Sequence, residues 1–235
     1  EYAEEAKEQL VAEKGFFILP SQLFCNVAAK AEKDENLNET LAKTFRAIEA
    51  SAVGTDAEYK LKGLFSDFIV DNSKLGITVA DRNRVLADVI IAVRDMKLSQ
   101  NIQDNNNDTF GDTYEFLMSM YAANAGKSGG EFFTPQEVSE ILVRLATYDN
   151  DKIDSVYDPA CGSGSLLMKF QKIIGKKNPN LKYYGQEINP TTFNLCRINM
   201  FLHNVNYNNF NIALGDTLLN PAHRGMEFDA IVSNP

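Results

Sequence analysis

The chain has 235 residues, 44% of them apolar, with 23 basic and 32 acidic side chains giving a formal net charge of −9. That is enough apolar content for one large or two modest cores, and no stretch approaches the roughly 20 apolar residues that span a bilayer. Residues 1–103 carry 13 basic and 17 acidic groups and residues 104–235 carry 10 and 15, so neither half has the basic excess from which an isolated nucleic-acid binder draws its affinity.

The chain alone is therefore expected to bind DNA or RNA weakly, and any nucleic-acid role calls for positive surface from elsewhere. Cys25, Cys161 and Cys196 are scattered, and are read as reduced thiols of a cytoplasmic protein. His203 and His223 have no metal-ligand spacing, which argues against a metal site. There is no secretory signal pattern. The first residue is Glu1, so the natural start is expected to lie further upstream.

Residues 1–103 read as a helical domain. Leu10 and Val11 sit on a Glu/Lys-rich helix ending near Gly15, and Leu23, Phe24 and Val27 mark a second helix from about Ser21. Asn38 is expected to cap a helix that Gly54 ends. A further helix over 81–98 is expected to start on Asp81 and to bury Val85, Val89 and Val93. The polar, Asn-rich run at 100–108 suits a linker. After it, one more helix closes on Gly126, and a short polar turn leads to Thr134 and Pro135, a good helix start.

From residue 153 the pattern changes. Strands are expected at 153–158, 181–188, 209–216 and near 228–232, with helices between them at about 164–174 and 191–202. Strands that alternate with helices argue for right-handed βαβ units and a mostly parallel sheet. The expected fold is thus α/β: an all-helical domain over 1–103, then an incomplete Rossmann-like domain over 104–235. With strand order 3-2-1-4, the first and fourth strands flank the switch point, where open α/β sheets place their ligands.

Several motifs fall at that crevice. In DPACGSG, residues 158–164, Gly162 and Gly164 let the backbone turn sharply so that a ligand can approach its N–H groups. Leu167 stands where a dinucleotide fingerprint needs its third glycine, which argues against a pyrophosphate cofactor. Asp158 ends the first strand and points a carboxylate into the crevice. Glu187 ends the second, where a carboxylate can accept from both hydroxyls of a ribose. Asp216, after the third, is placed to accept from an adenine amino group, although alone it would read as a turn residue or helix cap. Taken together, these positions fit an adenosine-bearing ligand, and the segment at 131–135 would fold over its methionine end.

Asn234 and Pro235 follow the fourth strand. An aromatic or amide amino group is a poor nucleophile because its lone pair is delocalised. The Asn234 side-chain oxygen and the Pro235 carbonyl can each accept one N–H, which favours a pyramidal nitrogen for in-line attack on an electrophilic methyl. Asn-Pro alone is also a common way to end a strand in a turn.

These motifs resemble those of the amino-methyltransferases that use S-adenosylmethionine, whose signature is Asn-Pro-Pro followed by Phe or Tyr. GKSGGEFFTP, DPACGSGSLL, GQEINP, LGDTL and SNP stand in the order seen in modification subunits of type I restriction–modification enzymes. FRAIEASAVG, LKGLFSDFIVDNSKLG, RNRVLADVI and FGDTYEFLM resemble that family's helical domain. The resemblance implies methylation of adenine N6 in duplex DNA, in a complex with a specificity subunit and, in some cases, a restriction subunit. It assigns cofactor binding to Glu131, Phe132, Phe133, Thr134, Pro135 and Gln136, to Asp158, Pro159, Ala160, Cys161, Gly162, Ser163, Gly164 and Ser165, and to Glu187 and Asp216. Asn234 and Pro235 resemble the catalytic positions. The signature breaks off after them, so the chain is expected to be truncated there, to lack the aromatic that stacks on a flipped base, and to be inactive by itself.

Two rival readings stand beside this one. A protein N5-glutamine methyltransferase shares the chemistry because an amide nitrogen poses the same lone-pair problem; the GGEFFTP segment and the helical domain weigh against it. The other rival is a helical interaction module joined to a degenerate cofactor domain.

Overall fold

The computed structural model describes residues 2–96, 109–125, 134–150 and 152–235. The Asn-rich run at 100–108 and the proposed cofactor residues Glu131, Phe132 and Phe133 lie outside the described residues. The chain divides into two compact units, Glu1–Thr109 and Phe110–Pro235. The expected boundary at 103/104 also falls outside the described residues.

The first unit is helical, with α1 (Tyr2–Lys14), α2 (Phe24–Ala28), α3 (Leu37–Ser51), α4 (Glu58–Leu61) and α5 (Val79–Asp95). Its main core gathers Val27 and Ala28 of α2, Leu37 and Leu41 of α3, and Leu86 and Ile90 of α5. The start of α5 differs from the expected one. Thr78 is the N-cap: its hydroxyl accepts the Asp81 N–H at 3.1 Å, and the Asp81 carboxylate accepts the Thr78 N–H at 3.3 Å. This reciprocal box makes Asp81 the third helical residue. The buried stripe is accordingly Asn83, Leu86, Ala87 and Ile90, while Val89 and Val93 face solvent.

Asn38 is not a cap either. The N-cap of α3 is Asn36, whose side chain makes no capping bond, and Asn38 lies inside the first turn. Its N–H, one of the donors that a helix start leaves without an intrahelical acceptor, goes to Asn83 Oδ1 at 2.9 Å. Asn83 Nδ2 donates to the Glu35 carbonyl at 2.6 Å. The α3 start is thus capped from α5 by one buried amide.

The second unit opens with α6 (Thr109–Ala125) and α7 (Gln136–Ala146). Pro135 is the N-cap of α7 rather than its first helical residue. Then follow β1 (Ser155–Asp158), α8 (Ser165–Ile174), β2 (Lys182–Glu187), α9 (Pro190–Leu202), β3 (Phe210–Leu214) and β4 (Ala230–Ile231). The sheet order is β3-β2-β1-β4, the expected one, and every pairing is parallel. One face buries Val156, Tyr183, Phe210, Ile212 and Ala230 beneath α8 and α9. Val232, just past β4, is buried, whereas Ile231 points to the other face and is 60% exposed.

Helix α6 is stitched to the sheet's helical layer by polar bonds. Lys172 Nζ of α8 donates to Asp112 at 2.6 Å and to the buried Glu115 at 2.8 Å. Gln136 Nε2 at the start of α7 donates to Glu115 at 2.8 Å, and the Tyr114 hydroxyl donates to the Leu195 carbonyl of α9 at 3.1 Å.

Asn83→Ala removes the partner of the buried Asn38 N–H, worth about 1–3 kcal/mol when left unsatisfied, and the donor of the part-buried bond to the Glu35 carbonyl. Amide exchange at the α3 start, followed by mass spectrometry in the full chain, is expected to speed up by about tenfold or more. Unchanged exchange there would show that the bridge does not hold the helix start.

Candidate active site

The C-terminal ends of β1, β2 and β4 open onto one cavity of about 460 Å³, lined by Thr134, by Asp158 and Ala160 to Ser163, by Ser165 and Leu166, by Glu187 to Asn189, and by Thr192, Asn234 and Pro235. This volume suits a drug-sized ligand. Parallel pairing brings the ends together. Asp158 lies opposite Gly185 in the β1–β2 register, two residues before Glu187, and Tyr157 pairs with Ile231 on the other side.

The loop after β1 is held from three directions. Glu187 Oε2 accepts the Gly162 N–H at 2.8 Å, and the Cys161 N–H donates to the Gln186 carbonyl at 3.0 Å. From α9, the buried Asn199 Nδ2 donates to the Ser163 carbonyl at 3.1 Å. Gly164 is the N-cap of α8 with φ +81, a left-handed conformation that favours glycine. A Cβ there would also stand 2.7 Å from Cys196 Sγ. Both backbone and space require glycine at this position.

Two carboxylates sit in the cavity wall with different environments. Asp158 is 2% exposed; it accepts the Ala160 N–H at 3.0 Å and a bond from the Ser233 hydroxyl. Burial pushes its carboxyl up to about 7, against the lowering effect of those two bonds and with a further rise from the Glu187 charge. Glu187 is 9% exposed, and each of its oxygens takes a backbone N–H at 2.8 Å, from Gly162 and from Asn189. A carboxylate has about four acceptor positions, so each oxygen keeps a lone pair for a ligand.

Among the sequence-predicted residues, Thr134, Asp158, Ala160, Cys161, Gly162, Ser163, Ser165, Glu187, Asn234 and Pro235 share the cavity. Of the other described ones, Pro135, Gln136, Pro159, Gly164 and Asp216 do not line it. The Pro159 carbonyl accepts from the Thr217 hydroxyl at 2.6 Å, and Gln136 is spent on Glu115. Pro135 and Gly164 cap α7 and α8. Asp216 Oδ1 accepts the N–H groups of Leu218 and Leu219 at 2.8 and 3.1 Å, which is the bland turn role it would have alone. Four lining residues carried no site assignment in the sequence: Leu166, Ile188, Asn189 and Thr192. Ile188 had a legible signal, a large aliphatic just past the end of a buried strand; it is 65% exposed. Among the described residues, no cluster of His, Cys, Asp or Glu could hold a metal, and no helix is long and apolar enough to cross a membrane.

The fold is that of class I methyltransferases. It resembles a putative class I S-adenosylmethionine-dependent methyltransferase from Listeria monocytogenes with a TM-score of 0.50 at 14% identity, over 91% of this chain and 58% of that one, a likeness of fold alone. The chain belongs to the N-6 DNA methylase family, whose model matches residues 105–235. It is 49% identical over 244 residues to the type I restriction enzyme MpnII methylase subunit of Mycoplasma pneumoniae, covering 97% of this chain and 45% of that protein. The MjaVIII methylase subunit of Methanocaldococcus jannaschii is 32% identical over 184 residues, 75% of this chain and 30% of that protein. The crystal structure of a type I restriction-modification methyltransferase subunit from Streptococcus thermophilus superposes with a TM-score of 0.83 at 29% identity, over 99% of this chain and 47% of that one. The chain thus spans less than half the length of these type I relatives. The family resemblance carried by the motifs is the one these comparisons return.

The raised Asp158 value has a stability consequence. Its folded-state value, about 7, lies above its ordinary value of 3.8, so the fold favours the neutral form. That contribution is complete below about pH 4 and is lost as the pH rises through about 7. Asp158→Asn keeps a neutral side chain at every pH. The stability of the variant relative to the parent, from denaturant midpoints, is expected to rise steadily between about pH 5 and pH 7.5. Parallel curves would show that Asp158 titrates normally.

Proposed function

We propose that this chain is the donor-binding and catalytic part of a type I modification subunit, transferring a methyl group from S-adenosylmethionine to adenine N6 in duplex DNA. The observation that carries the reading is the meeting of the β1 glycine loop and Asn234-Pro235 in one cavity. When bound, S-adenosylmethionine supplies an electrophilic methyl on a sulfonium.

The chain's own groups fit that ligand. Glu187, with a lone pair left on each oxygen, accepts the two ribose hydroxyls. Ile188, exposed beside it, offers an apolar face to the adenine ring, and Asp216 accepts the ring's amino group through the oxygen not used in its turn. The loop from Ala160 to Ser163, with Ser165, walls the methionine part, while Asp158 faces its positive charge. On the acceptor side, the Asn234 oxygen and the Pro235 carbonyl take the two hydrogens of the target amino group and free its lone pair for in-line attack. No group need act as a strong base before the methyl moves.

Sequence recognition is assigned to a specificity subunit, with a restriction subunit as a further partner in the complete enzyme. The acidic balance, −9 over the chain, supports this division, because phosphate contacts need basic surface. The cytoplasm is the compartment in which such an enzyme meets its DNA.

The test uses the full-length protein assembled with its specificity subunit, isotopically labelled S-adenosylmethionine and an unmethylated plasmid library. Label is expected in N6-methyladenine after nuclease digestion. Asn234→Ala is expected to lower transfer by on the order of 10²-fold or more, with donor affinity little changed. Glu187→Ala is expected instead to weaken donor binding by about tenfold or more, read by calorimetry. Label in protein glutamine, or transfer indifferent to Asn234, would overturn the reading.

A further inference from the structure

Only one end of the Asn234 amide is useful to an amino-group acceptor. The carbonyl oxygen can take one of its hydrogens, whereas the NH2 end would oppose it donor to donor. Yet Asn234 is solvent-exposed, lies beyond the two residues of β4, and is followed by a proline. Something other than the strand must decide which end of the amide faces the substrate.

The described contacts supply it. Asn234 Nδ2 donates to Thr134 Oγ1 at 3.3 Å, across 100 residues of sequence. Thr134 is 8% exposed and stands two residues before Gln136, whose side-chain amide is fixed by the buried Glu115. One residue earlier, the Ser233 hydroxyl bonds to the Asp158 carboxylate, and the last ladder bond runs from the Val232 N–H to the Tyr157 carbonyl at 3.0 Å. The terminal segment is therefore pinned on alternate sides, at Tyr157, Asp158 and Thr134 in succession.

Resting on the function proposed above, we infer that Thr134 is the positioning residue for the catalytic amide: its hydroxyl occupies the NH2 end of Asn234 and turns the carbonyl oxygen toward the amino group of the target base. This gives the Thr134 hydroxyl a task on the acceptor side of the cavity. The restricted rotamers of a β-branched residue keep the acceptor oxygen in place. Valine matches threonine in shape and lacks the oxygen, so it separates hydrogen bonding from packing.

The experiment compares Thr134→Val and Thr134→Ser in the full-length protein with its specificity subunit. Two quantities are read: the single-turnover rate of methyl transfer at saturating donor and DNA, and the donor dissociation constant by calorimetry, which also reports that each variant is folded. Thr134→Val is expected to slow transfer by about 10- to 100-fold, the cost of a misaimed reacting group, with the dissociation constant within about threefold of the parent's. Thr134→Ser is expected to restore most of the rate. Parent-like transfer by Thr134→Val would overturn the inference. So would a loss of donor affinity as large as the loss of rate, or a serine variant as slow as the valine one. A parent complex that transfers no methyl to adenine at all would instead refute the proposed function, and this assignment with it.

Discussion

Parallel pairing of β1 with β2 on one side and β4 on the other is the constraint from which the cavity follows. Residues at the ends of these three strands must lie on one rim, because the registers run Tyr157 to Tyr184 and Tyr157 to Ile231 without a bulge. The loop after β1 and the Asn234-Pro235 segment leave that rim from neighbouring strands and line the cavity together. The glycine loop is then tied back to β2 by Glu187 and Gln186, so its shape is fixed by the sheet rather than by the loop itself. Antiparallel insertion of β4 would carry Asn234 to the far end of the sheet and separate it from the loop.

The rim concentrates negative charge, and the two carboxylates settle it differently. Glu187 accepts two backbone N–H groups; Asp158, deeper in the wall, is pushed up to about 7. A cationic ligand beside Asp158 would favour its ionised form, whereas an anionic one would meet Glu187 directly. Two acidic side chains in the wall are poor partners for a phosphate, and the third glycine of the dinucleotide pattern is missing at Leu167. Charge and loop shape discriminate in the same direction.

The alternation of strands and helices, the sheet order and the rim residues Asp158, Glu187 and Asn234 were all legible in the sequence, because each depends on local periodicity or on turn chemistry at a strand end. What was illegible depended on partners distant in the chain. Asn38 has the residue type of a cap, yet the capping oxygen comes from Asn83, 45 positions later. The expected Val85, Val89 and Val93 stripe failed because α2 and α3 pack on the neighbouring face of α5, the one that carries Asn83, Leu86, Ala87 and Ile90. The local turn that Asp216 Oδ1 closes lies outside what its place at a strand end announces. Glu115 gave no signal at all, since a helix-borne acid looks solvated until Lys172 and Gln136 are seen to converge on it.

The placement of the acids bears on how such a chain would treat DNA. Its formal charge of −9 includes the two buried carboxylates of the cavity, and the rest is spread over both units. A duplex brought to this surface by the chain alone would gain little from counterion release, the term that supplies most non-specific affinity. Base flipping carries a further cost of a few kcal/mol for unstacking. Under the proposed activity, both costs fall on groups supplied by partner surfaces, and the cavity needs only to discriminate an amino group that has already been delivered. On the proposed reading, that separation would let an acidic site serve a polyanionic substrate: Asp158 and Glu187 would face the donor, while the acceptor side, Asn234 and Pro235, offers neutral amide oxygens.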